Sequence, residues 1–78
     1  MEEYDVVKVV KLLKETRDIS GSPGVARRPV IGDQGTIVHV LDPENAFIVE
    51  CSDREGMTIW MGDFVSEELD IVVKDVRE

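Results

Sequence analysis

The side chains able to do chemistry are few in this chain of 78 residues, and the reactive ones are single: one histidine, His39, and one cysteine, Cys51. A zinc site takes three or four nitrogen or sulfur ligands, which one His and one Cys cannot supply. Cys51 as a nucleophile with His39 as its base also fails. In AFIVECS, Cys51 alternates with Phe47 and Val49, which turns the thiol inward, where it acts as a small apolar filler with a raised pKa. His39 stands beside Ile37 and Leu41 and reads as a surface or edge residue. The acids Asp63, Glu67, Glu68 and Asp70 gather near the C-terminus, but their spacing matches no calcium loop and no base is paired with them. They read as a solvated acidic face that steers a basic protein. No catalytic residue, metal or cofactor is expected.

Recognition is the remaining chemistry. In MTIWM the alternation sets Met57, Ile59 and Met61 on one face and Thr58 and Trp60 on the other, so Trp60 is expected to point outward. Tryptophan there is either covered by the preceding loop, through Val25 or Pro29, or is a contact for a partner. Arg27 and Arg28, with Arg17, form a small basic island, which pairing with acids or plain solvation accounts for. Nucleic-acid sites need more charges and interleaved aromatics. The candidate partner-binding residues are Trp60, Arg27, Arg28, Glu67, Glu68 and Asp70.

The elements that must position these residues read as strands. Residues 32–61 form a meander: GTIVHVL, a turn at Asp42-Pro43-Glu44-Asn45, AFIVECS, a turn at Asp53-Arg54-Glu55-Gly56, then MTIWM. Proline and glycine in these turns supply the fixed and the positive φ that turns require. Residues 4–14, YDVVKVVKLLK, fit a helix by the spacing of Val6, Val9, Val10 and Leu13, with Asp5 as cap, and fit a strand by their branched side chains; the strand is preferred. A long connection over about 15–33 follows, rich in turn formers and expected to be flexible, most of all at Gly21–Gly24. Gly62-Asp63-Phe64 is expected to break the last meander strand, SEEL to make one helical turn capped by Ser66, and DIVVKDV to end the sheet. The expected core is Val10, Leu12, Val38, Val40, Phe47, Val49, Ile59, Met61, Leu69 and Val72.

Composition agrees with one small domain spanning 1–78. Hydrophobic residues make up 42% with four aromatics, so Val, Ile and Leu fill the core. The formal net charge of −8 is uneven: residues 1–28 hold six Lys/Arg against five Asp/Glu, and 29–78 hold three against twelve. Such a surface repels duplex nucleic acid. One cysteine allows no internal disulfide. MEEYDVV lacks the basic and apolar regions of a signal peptide, and no run nears the roughly 20 apolar residues that span a bilayer, so a cytoplasmic location is expected.

The block VIGDQGTIVHV from Val30 to Val40, followed by AFIVEC, DREG, MTIWM and EELDIV, resembles a family of small uncharacterised bacterial proteins grouped as a domain of unknown function. That family repeats G-D-x-G-T-V-V, A-[FY]-x-V-E-F, a turn ending D-G-x-T and a final D-x-[LI] strand. The likeness covers most of Val6–Val73 and departs at Ser22–Pro29, where this chain has extra residues, and at Cys51, where the family carries a larger apolar one. It implies an SH3-like barrel and no catalytic residues. More distantly the layout is similar to the electron-transport accessory barrels, such as the photosystem I accessory type and the nitrile hydratase β-subunit type, which serve larger partners.

The expected fold is therefore all-β, a five-stranded SH3-like barrel with a long loop after the first strand. The expected role is a non-enzymatic protein-interaction or accessory module, a monomer or weak homodimer whose partner is another protein. A KOW-like nucleic-acid or ribosome-associated module and a small subunit of a larger enzyme are the alternatives.

Overall fold

The computed structural model describes residues 1–14, 17–42 and 45–73, the last by its backbone. Strands form where branched side chains concentrate: β1 (Val6–Val9), β2 (Gln34–Asp42), β3 (Ala46–Ser52), β4 (Thr58–Val65) and β5 (Leu69–Val73), with one turn of 3-10 helix, Ser66–Glu68, before β5. They make a single antiparallel sheet ordered β4-β3-β2-β1-β5. The chain's first and last strands are thus neighbours, with Val7 opposite Ile71 and Val9 opposite Leu69. The all-β, five-strand layout with a long connection after β1 and a short helical turn before β5 is as the sequence predicts. Lys74, Asp75 and Val76, expected in the last strand, lie outside the described residues, as do Pro43 and Glu44 of the first turn.

The core is Val7, Val9, Ile37, Phe47, Val49, Cys51, Trp60, Phe64 and Leu69. Phe47, Val49, Cys51 and Leu69 are inside as expected, and Val40, opposite Phe47, and Ile59 are half-buried against the core; the fully buried positions of β1, β2 and β4 lie on the faces opposite to those expected. In β2 the buried residues are Gly35 and Ile37, with Val38 half-buried. The reason is Gly35, which occupies the core face because a Cβ there would lie 2.7 Å from the Glu50 carbonyl oxygen and 2.8 Å from Val49 Cγ1. The register also shifts around Val38 and Leu41, so simple alternation does not run the length of β2.

Gly62 does the same in β4. It does not break the strand but continues it, buried on the core face between Trp60 and Phe64, where a Cβ would meet Ile19 Cδ1 at 2.7 Å and the Asp18 carbonyl oxygen at 3.1 Å. Trp60 therefore faces inward, fully buried opposite Cys51, while Ile59 and Met61 are half-buried. In β1, Val7 and Val9 are buried; Val10 is half-buried and Leu12 exposed, because pairing ends at Val9 and the Val10 N–H turns to the Glu68 carbonyl at 2.8 Å. Val72 is exposed as well.

The connection after β1 is tied along the outer edge of β4. Ser20 exchanges backbone hydrogen bonds with Met61, the Ser22 N–H donates to the Thr58 carbonyl and the Arg27 N–H to the Ile59 carbonyl. Gly21 is pressed so close to Ala26 and Ile59 that a Cβ would lie 2.8 Å from the Ile59 oxygen. In the β3–β4 turn, Gly56 takes a φ of 82°, the left-handed region it was expected to supply, and Asp53 Oδ1 accepts the Glu55 and Met57 N–H groups. The 3-10 turn is preceded by extended Val65, so Ser66 is its first residue and not its cap.

Candidate functional site

Two aromatic rings on the core face of β4 organise the candidate site. Trp60 and Phe64 stand four residues apart with centroids 5.2 Å apart and planes at 44°, a tilted arrangement that avoids a face-to-face sandwich of the ring quadrupoles. Each ring leads to an arginine held by a carboxylate.

On the Trp60 side the indole Nε1 donates to Asp33 Oδ2 at 2.9 Å. The same oxygen accepts Arg27 Nη1 at 2.8 Å and the Val30 N–H at 3.0 Å, while Oδ1 accepts Arg27 Nη2 at 3.0 Å. Arg27 Nη1 also donates to the Arg28 carbonyl. Asp33 itself is fixed in the chain by its own carbonyl, which accepts the Val9 N–H at 2.8 Å. The Arg27 hydrogen bonds, with those from Val30 and Trp60, outweigh partial burial and hold the Asp33 carboxyl down at about 2; the Arg27 guanidinium is raised in turn. A carboxylate this acidic stays ionised near neutral pH and is a poor general base. Its work is mechanical: it ties residues 27–33 to a buried indole.

On the Phe64 side the Arg17 guanidinium lies over the ring, 4.0 Å from Cζ to centroid, and its Nη2 donates to both Glu68 oxygens at 2.6 and 2.5 Å. Glu68 also accepts the Val65 N–H at 3.0 Å and the Leu13 N–H at 2.9 Å. Burial pushes the Glu68 carboxyl up, but Arg17 and the two backbone donors outweigh it and leave the group below its usual value. Among the described residues Arg17 Nε is the buried polar side-chain atom left without a partner.

The expected site residues do not form one face. Arg27 and Arg28 are exposed on the connection, with exposed Val30 and Ile31 beside them. Glu67 and Asp70 are exposed on the other side of the sheet order, Asp70 opposite Lys8 of β1. Trp60 and Glu68 are fully buried, so neither side chain meets a partner in this conformation. Trp60 is inside because Gly62 carries the inward alternation through β4, and Glu68 because Arg17 and two N–H groups converge on it. Asp33 and Phe64 were not singled out by type or spacing; Arg17 was, as part of the basic island, and the pairing with acids expected there is seen for Arg17 with Glu68 and for Arg27 with Asp33. The Glu68 carboxylate reaching back to the Val65 N–H is the one local signal, an acid at the third position of a helical turn.

His39 is exposed, 4.0 Å from Glu3 by its Nδ1, and pairs with Ile48. Cys51 is three residues further along β3, about 10 Å by strand rise, which separates the two. The Cys51 thiol is pushed up, first by burial and then by the nearby Asp33 charge, against a smaller opposing effect of Arg27. Among the described residues no three His, Cys, Asp or Glu side chains are placed to hold a metal ion, and no helix is long and apolar enough to cross a membrane.

Both clusters fall within residues 3–71, the span over which the chain matches the family model described as Domain of unknown function (DUF4926). The chain belongs to this family. DUF4926 carries no activity in its description, and the span takes in Arg17, Asp33, Trp60, Phe64 and Glu68 together. No curated protein and no solved structure matches the chain.

Proposed function

We propose that this DUF4926 chain is a non-enzymatic protein-interaction or accessory module that engages its partner through Arg27, Arg28, Val30 and Ile31, the exposed residues of the 27–31 turn, whose Pro29 is buried. The observation that carries the reading is the exposed tip that Asp33 braces. Val30 is 52% and Ile31 64% exposed, next to Arg27 and Arg28. Single exposed apolar residues are ordinary on protein surfaces. Here two adjacent ones share a short turn with two arginines, and Asp33 fixes that turn through Arg27, the Val30 N–H and the Trp60 indole. Arginine and branched apolar groups on a pre-ordered backbone suit a contact surface, because less conformational freedom is lost on docking. An enzyme-subunit role would use the same docking step and adds no residue to it.

The test is affinity capture with the wild type, with Arg28→Glu/Ile31→Ser, and with a control change at exposed Glu55 of the β3–β4 turn, each checked for an unchanged circular dichroism spectrum. Loss of a captured protein by the tip variant alone supports the reading. Equal capture by all three removes it. A KOW-like nucleic-acid role would instead show as binding to oligonucleotides that weakens steeply with salt.

A further inference from the structure

The sheet has two outer edges, and they differ. The edge of β4 is occupied by residues 20–27: Ser20 donates to and accepts from Met61 at 2.9 and 2.8 Å, and Ser22 and Arg27 donate to Thr58 and Ile59 at 2.8 and 3.0 Å. Along β5 the one neighbouring strand among the described residues is β1. Among the described residues no further backbone group bonds to Asp70, Ile71 or Val72. An unpaired strand edge presents a row of backbone donors and acceptors, and proteins usually blunt one with lysine, proline or a covering segment. Leu69–Val73 contains neither lysine nor proline. Ile71 and Val72 are each 44% exposed, and the charge on the strand is Asp70, with exposed Glu67 just before it.

We infer that the outer edge of β5 accepts an added strand from another protein, a segment in which basic and branched apolar residues alternate. Backbone hydrogen bonds along the edge supply affinity, and the alternate side chains supply specificity. Ile71 or Val72 meets the apolar positions, while Asp70 and Glu67 meet the basic ones. Charge selects this occupant over a second copy of the chain. Each copy carries a formal −8, with twelve acids against three bases in residues 29–78, so edge-to-edge pairing of two copies brings like charges together, whereas a basic segment is drawn in. This edge is a different element from the 27–31 tip, and its test is independent of that reading.

The probe is a blocked seven-residue peptide of alternating lysine and valine, titrated into the isotopically labelled full chain while amide resonances are followed. Chemical-shift changes centred on residues 69–73 are expected. Asp70→Lys/Ile71→Lys should weaken binding by about tenfold or more, since like charges then face each other. Asp70→Lys/Val72→Lys repeats the test should the first variant not fold, and Arg28→Glu/Ile31→Ser should bind as the wild type does. The same peptide with alternate backbone nitrogens methylated should not bind. Shifts confined to residues 27–31, equal binding of the methylated peptide, no shifts at millimolar peptide, or a concentration-dependent dimer that Ile71→Lys abolishes would each overturn the inference.

Discussion

The two arginine–carboxylate pairs are chemically alike and physically opposite. The side chains of Arg17 and Glu68 are 1% and 0% exposed, those of Arg27 and Asp33 46% and 12%. For the buried pair the loss of solvation is large and mutual attraction only offsets it, so the pair is weak evidence of net stability but costly to break. For the outer pair water screens the attraction, and the ion pair alone contributes about 0–1 kcal/mol. What makes Asp33 matter is its other donors, the Trp60 indole and the Val30 N–H. The inner pair holds the segment after β1 against the 3-10 turn; the outer pair shapes a surface.

That contrast can be broken at five points. Glu68→Ala should have the largest effect, about 3–5 kcal/mol in urea unfolding, because it strands a buried guanidinium and two backbone donors. Arg17→Met/Glu68→Gln should recover more than half of the loss, since it removes the charge and keeps an acceptor; no recovery would mean that packing rather than charge is at stake. Asp33→Ala should cost about 1–3 kcal/mol, chiefly through the buried indole N–H left unpaired, and Trp60 fluorescence should shift with it.

Acid should act through the same carboxylates. Asp33 is depressed from 3.8 to about 2 in the folded chain, so its contribution is present above the unfolded value and lost as pH falls from about 5 toward 2, roughly 2 kcal/mol in all. Glu68 is lowered too and adds to the loss in the same direction. Urea midpoints measured between pH 6 and 2 should therefore fall, and Asp33→Asn should flatten the curve; an unchanged slope would show that Asp33 is not depressed. Arg27→Ala is the smallest change, about 0–1 kcal/mol and shrinking with added salt. A loss above about 2 kcal/mol there would erase the distinction between the pairs.

The strands and turns were legible in the sequence because branched residues and turn formers act locally. AFIVECS showed its inward face directly, and Asp53–Gly56 its turn. The faces of β2 and β4 were not legible, and for one shared reason. Gly35 and Gly62 sit on the core side as places where backbone or another side chain presses close, and because a glycine adds nothing to an apolar count, the count favours the opposite faces, Val38 with Val40 and Met57 with Ile59 and Met61. That choice of face is what turns Trp60 outward in the sequence reading. Arg17 and Glu68 are hidden differently, since they meet across 51 residues of separation and nothing local marks either as buried. The exposure of Arg27, Arg28, Glu67 and Asp70 followed from residue type alone.

The adjacency of β1 and β5 also has a meaning in time. Val9 lies beside Leu69 in the sheet, and a ribosome adding about 5–20 residues per second takes roughly 3 to 12 seconds to cover the sequence between them. β2 arrives early to pair with one side of β1, yet the other side waits for β5, the last of the described strands. Each newly synthesised copy therefore spends seconds with Val7 and Val9 of β1 flanked by a strand on one side only, and the sheet becomes whole only when β5 is complete.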